Sequence, residues 1–292
     1  MTAFEFDPET FDEAEVLRNV ASDDIGTRAE AIYLLARKAF NDNNASKCIT
    51  MLETALELFE SINRIDGQRQ CLDGLSLVAT WENRTKQAEV WLQKLAKLDS
   101  EDLNTSGEVV ALWNLGHNYR KLKDWHSAAA TFAQAAAIAR ENSHHLLPNI
   151  LAMLGRSLRK LGRYRESAET FAEAGELFKD SDESMLPQAE NDQALSLLKI
   201  GEFQKALDFA TEALELAKFD GNVSMQGKFE YTIAVALNGL GRHKDALEHL
   251  DEIQDRNRAK RRKHKMKIDL ERVRALRRAG GGHAQRGPEC FR

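Results

Sequence analysis

The chain has 292 residues, 42% hydrophobic and 30% charged, with a formal net charge of −5. Only four Pro occur, against abundant Ala, Leu, Glu and Lys, which favours helix because none of these residues obstructs the backbone hydrogen-bond ladder. Three widely spaced cysteines, Cys48, Cys71 and Cys290, form no CxxC pair and argue against a disulfide framework or a zinc knuckle, and no window reaches the ~18 apolar residues of a bilayer span.

In chain order, the first segment, 1–26, is acidic and lacks the charged-then-apolar layout of a secretory leader. It carries Phe4, Phe6 and Phe11 among acids and is expected to form an arm or an N-terminal capping helix. From 27 to 255 the chain repeats. "LGHNYRKLKDWHSAAATFAQA", from Leu115, runs in step with "LGRSLRKLGRYRESAETFAEA", from Leu154. A small residue anchors each unit: Ala36, Ser76, Gly116, Gly155, Ala194 and Ala234, spaced by 40, 40, 39, 39 and 40 residues. Units are expected to start near 29, 69, 109, 148, 187 and 227. A basic stretch, 256–279, is expected to be a C-terminal capping helix, and 280–292 a flexible tail.

Each unit reads as two helices. Leu112, Leu115, Tyr119 and Leu122 recur as one apolar helix face. Gly162, Gly201 and Gly241 stand where the first helix breaks, and Gly tolerates the left-handed conformation that ends many helices. A second amphipathic run such as 126–139 follows. Pro148 and Pro187 stand where the next first helix opens, a position whose amide would have no helical partner anyway. A helix pair cannot bury both its faces alone, so such units stack on one another. A large residue at Gly116 or Ala128 would force two helices apart at ~1–3 kcal/mol.

The pattern Leu115-Gly116, Tyr119, Ala128, Phe132, Ala135 resembles the tetratricopeptide repeat. Leu154-Gly155, Phe171 and Ala174 continue it, then Leu197, Ala206 and Ala213, then Leu237 and Ala246. The resemblance spans roughly 27 to 278. Leu112 and Leu151 replace the signature Trp, and the period is ~40 rather than ~34 residues, so longer second helices or longer inter-repeat turns are expected. The resemblance implies an all-α fold, a right-handed α-α superhelix (solenoid) of about six such helix pairs plus a C-terminal helix. Its first helices would line a concave face that receives a peptide or protein segment.

Catalytic signals are thin. No HExxH, GxSxG or GxGxxG occurs, and "GNVSMQGKF" at 221–229 has the wrong glycine spacing for a phosphate loop. His144 and His145 are adjacent, about 100° apart if helical, and read as turn residues rather than shared metal ligands. No enzyme activity, metal or cofactor is expected, and a reducing cytoplasm is the expected compartment.

With each anchor counted as the eighth position, the family's groove positions fall on particular residues. In the third unit they include Trp113, His117, Arg120 and Lys121, and in the fourth Asn149, Arg156, Arg159 and Lys160. The fifth adds Asn191 and Lys199, and the sixth Tyr231. Arg gives bidentate contacts to carboxylates, Asn pairs with an extended backbone, and Trp and Tyr are enriched in binding hot spots. Basic residues near helix C-termini also offset the helix dipole without any ligand.

Charge is unevenly spread. From Arg256 onward lie 14 of the 41 basic residues and three acids, so the preceding residues hold 27 basic and 43 acidic groups. The implied function is a non-catalytic adaptor or scaffold that binds a protein segment, acidic in character, in its central groove. The alternative is a regulator whose basic end contacts nucleic acid or another polyanion through Arg258, Lys260, Arg261, Arg262, Lys263 and Lys265. Against it, no aromatic residue interrupts that run to stack on bases. Stable membrane insertion is not expected.

Overall fold

A computed structural model describes residues 11–256, 271 and 274–276. Among the described residues there is no strand. A short α1 (Glu13–Val20) leads into α2 (Ile25–Asn41), α3 (Ala45–Ser61), α4 (Ile65–Trp81), α5 (Thr85–Glu101), α6 (Thr105–Leu122) and α7 (Trp125–Glu141). Then come α8 (Leu147–Lys160), α9 (Tyr164–Ser181), a 3-10 turn at Glu183–Met185, α10 (Leu186–Lys199), α11 (Phe203–Phe219), α12 (Val223–Gly239) and α13 (His243–Arg256). The chain divides into two compact units, Met1–Ile150 and Leu151–Arg292. In the first, α1 to α7 pack each on the next; in the second, α9 to α13 do the same. Pro148 and Pro187 are the second residues of α8 and α10, where a missing amide costs no helical bond.

The 40-residue period has a simple origin in the first unit. The helices α2, α3, α4 and α5 are each 17 residues long, and the turns 42–44, 62–64, 82–84 and 102–104 join them. The extra length is therefore shared by both helices of a pair, not placed in the second helix or in a longer inter-repeat turn. A left-handed residue recurs every 20 positions, at Asn43, Asn63, Asn83, Leu103, Lys123 and Ser143. In the second unit Gly162, Gly201, Gly221 and Gly241 take the same conformation.

Each turn closes the helix before it and opens the next. The amide after the left-handed residue donates five residues back, as from Asn44 to the Ala39 carbonyl at 2.8 Å and from Asn104 to that of Asp99 at 2.8 Å. This is the Schellman closure. The same residues then turn their side chains forward. Asn44 Oδ1 accepts from the Lys47 amide at 3.1 Å, Asn104 Oδ1 from Gly107 at 3.2 Å, and Asp124 Oδ1 from Ser127 at 3.1 Å. Such N-caps contribute about 1 kcal/mol each.

Small anchors and large rings make the core. Ala36, Ser76, Ala194 and Ala234 are buried, as are Gly116 and Gly155. The fully buried rings of Phe132 and Phe171 come from the second helices. A Cβ built on Gly155 would stand 2.9 Å from Phe171, and one on Gly116 closer still to Phe132. The bare Cα thus sets how nearly the two helices of a pair approach. Ala128, Ala135, Ala168 and Ala174 are buried beside these crossings. Cys48 and Cys71 are buried free thiols, and burial pushes both up to about 12, which leaves them inert toward thiolate chemistry.

At the N-terminal end Asp12 caps α1, Val16 is buried, and Lys38 of α2 bonds Glu13 at 2.7 Å. Phe4 and Phe6 lie outside the described residues. So do Arg258, Lys260, Arg261, Arg262, Lys263 and Lys265 and nearly all of 256–292. Within that stretch Glu271 and Ala275 are helical and buried, and Glu271 pairs with Arg274.

Candidate partner-binding site

The first unit holds a cavity of ≈ 500 Å3 on its first-helix side. Asp73, Ser76, Leu77 and Thr80 of α4 form one wall, Leu92 of α5 the floor, and Asn114, His117, Asn118, Arg120 and Lys121 of α6 the other wall. Helix α6 presents its residues by a regular cause: Asn104 caps its start and Lys123, left-handed at φ 61, ends it. Three of the four groove residues expected in the third unit, His117, Arg120 and Lys121, therefore line a real cavity.

The fourth, Trp113, is half-buried beside it. Its ring meets that of His117 edge-on at 4.4 Å and that of Phe132 at 5.8 Å. Trp113 is thus anchored on the core ring beneath the Gly116 crossing. Lys121 reaches back to α4, its Nζ 3.4 Å from the Thr80 carbonyl. Asn118 donates from Nδ2 to the Thr85 carbonyl at 2.8 Å, tying α6 to the start of α5. Among the described residues its buried Oδ1 has no hydrogen-bond donor.

Among the described residues Asp73 is the one acid on these walls. Burial, and then the nearby charge of Asp99, raise its carboxyl above the usual carboxylate range. Its backbone carbonyl accepts from Ser76 Oγ at 2.8 Å, but among the described residues its carboxylate has no hydrogen bond or ion pair. Asp99 is handled differently, for Arg69 Nε donates to it at 2.6 Å and Asn104 Nδ2 at 2.8 Å. Sequence reasoning missed Asp73, Leu77 and Thr80, yet the register that finds His117 and Arg120 finds them one unit earlier, counted from Ser76. Asn114 and Asn118 fall outside that register.

In the second unit two of the expected cations, Arg156 and Arg159, are already engaged. Arg156 Nε donates to Asp192 Oδ2 at 2.9 Å and Arg159 Nη2 to Asp192 Oδ1 at 3.0 Å. Gln188 Nε2 adds a third donor at 3.1 Å. Asp192 is buried, while both arginines keep about a quarter of their side-chain surface. Asn191 is also buried, and its Oδ1 accepts from Thr232 Oγ1 at 2.7 Å, joining α10 to α12. Lys160 and Lys199 are exposed at the ends of α8 and α10, and Asn149 is half-buried on α8. Tyr231 is half-buried on α12, and burial followed by the Glu271 charge raises its phenol.

His144 and His145 occupy the turn after α7, not a helix, so their rings stack at 4.5 Å instead of diverging. His144 Nε2 lies 3.1 Å from Ser106 Oγ, and burial, then His145, lower its pKa. Among the described residues no group of three or more His, Cys, Asp or Glu is arranged to hold a metal ion. No described helix is long and apolar enough to cross a membrane.

Consecutive helix pairs crossing on small anchors, with a polar cavity between successive first helices, define a helical-repeat protein. The tetratricopeptide repeat model matches residues 108–180, the α6–α9 stretch in which the anchors are Gly.

Solved structures share the fold. One is a signal-transduction ATPase with a tetratricopeptide repeat sensor from Pyrococcus horikoshii, at TM-score 0.61 and 15% identity over 89% of this chain. This chain spans 40% of that one. The apo form of RapI aligns at TM-score 0.59 and 15% identity, over 87% of this chain and 99% of its own. The apo quorum sensor NprR from B. thuringiensis aligns at TM-score 0.52 and 17% identity, over 94% and 76%. Comparison with curated protein sequences finds no match.

Proposed function

We propose that the repeat domain, 27–255, is a non-catalytic adaptor that holds a segment of a partner protein against its first helices. The contact in the first unit would be centred on the cavity between α4 and α6. The observation that carries this reading is the cavity itself, whose lining includes six polar or charged side chains, those of Asp73, Thr80, Asn114, His117, Arg120 and Lys121. Extended peptides need backbone partners and side-chain slots together, and Asn, His and Arg supply donors while Leu77 and Leu92 supply apolar contact. The arginines that suggested an acidic occupant, Arg156 and Arg159, already satisfy Asp192, so an acidic partner draws no support from them.

The test fills the cavity. Asn114 is exposed, so Asn114→Trp adds bulk at the mouth without disturbing the core. Wild type and variant would be used to capture proteins from the source cell, with helicity checked by circular dichroism. Partners retained by wild type and lost with Asn114→Trp are expected. Identical partner sets from two equally folded proteins would overturn the assignment.

A further inference from the structure

The uncommitted groups of the first unit's cavity share one demand. Among the described residues the Asp73 carboxylate has no protein donor, and neither has the buried Asn118 Oδ1 on the facing helix, whose Nδ2 is already spent on Thr85. A buried acceptor without a donor costs free energy, and a half-buried carboxylate without a counter-ion gains from a cation brought to it. Asp99, whose charge acts on Asp73, has Arg69 and Asn104 as donors. Asp73 does not, although Arg120 and Lys121 line the same cavity. The site is left asking for a donor-bearing cation.

Resting on the reading that this cavity holds a partner segment, we propose that it selects a basic side chain of that segment, an Arg or Lys seated on Asp73 with Asn118 Oδ1 as second acceptor. The long apolar stem of such a side chain would lie against Leu77 and Leu92, which line the same cavity. Arg120 and Lys121 would then face the backbone carbonyls or the carboxylates that flank the basic residue. Selection at this site is therefore for a basic residue in a dipolar context rather than for bulk positive charge.

The full chain, immobilised, would be offered a random hexapeptide library with acetylated N-termini and amidated C-termini, so that only side chains carry charge. The retained pool is sequenced for wild type, Asp73→Asn and Asp73→Glu, each checked by thermal melting. Expected is enrichment of Arg and Lys at one position, kept by Asp73→Glu and lost with Asp73→Asn, whose affinity for the selected peptide falls about tenfold on losing a charge-assisted pair. Peptides retained without basic enrichment, or with enrichment that Asp73→Asn leaves intact, would overturn the proposal while the cavity reading stands. Failure to retain any peptide would overturn both.

Discussion

The Phe132 ring fills the space beside Gly116 so closely that a Cβ built there would stand 2.6 Å from its Cε1. This one approach explains why the repeat keeps a residue without a side chain at a helix crossing. Gly116→Ala gains about 1 kcal/mol of helix propensity. Three ring atoms under 3.0 Å from the new methyl put the overpacking penalty near the upper end of its ~1–3 kcal/mol range. A net loss of about 1–2 kcal/mol in urea unfolding is expected. Phe132→Leu in the same background should cost less than it does alone, because the two changes share one space. Strict additivity would contradict the contact.

Leu103 is left-handed at φ 57 and 85% exposed. That backbone costs a side-chain-bearing residue about 1–2 kcal/mol, and Gly returns part of the gain as unfolded-state entropy. Leu103→Gly should therefore stabilise the chain by about 0.5–1 kcal/mol, seen as a raised melting temperature. The same change at Asn83, whose side chain tolerates the conformation, should do less.

Asp192 is a buried carboxylate with two arginine partners. Removing the acid frees two arginines that can turn to water, whereas removing both arginines strands a buried charge. The double change Arg156→Ala, Arg159→Ala should cost about 3 kcal/mol, and adding Asp192→Asn should recover most of it. If Asp192→Asn alone proves as costly as the double arginine change, the pairing is misread.

Glu190 is 5% exposed, its Oε2 has no hydrogen-bond partner among the described residues, and its carboxyl is pushed up to about 7 by burial, then by the charge of Glu212. A raised folded-state value means that protonation favours the folded chain. Its stabilising effect is full below the ordinary 4.5 and is lost as pH rises through about 7. Stability should fall between pH 5 and pH 8, with about 3 kcal/mol from this one group. Glu190→Gln should flatten that slope; an unchanged slope would show that the carboxyl is better solvated than its burial indicates.

What could be read from the residues alone follows their physics. Small residues recurring every 39 or 40 positions mark helix crossings, and Gly162, Gly201 and Gly241 mark left-handed turns because they carry no Cβ. The matching turns at Asn43, Leu103, Lys123 and Ser143 carry no such mark. There the left-handed residue is imposed by the amide-to-carbonyl closure of the helix end, and ordinary residues bear the strain. The finer 20-residue period was hidden for this reason. His117, Arg120 and Lys121 could be placed because the first helix presents them at fixed register. Asp192 could not, since an acid on an amphipathic helix reads as solvated until arginines 36 and 33 residues earlier are seen to cover it. Asp73 was legible in register but not in its lack of a counter-ion.

The most direct test of binding at α4 and α6 is amide hydrogen exchange on the full chain, alone and with a partner that wild type retains and Asn114→Trp does not. Protection concentrated in 73–80 and 114–121 is the expected result. Protection confined to the second helices α5 and α7, or none in the first unit, would contradict it.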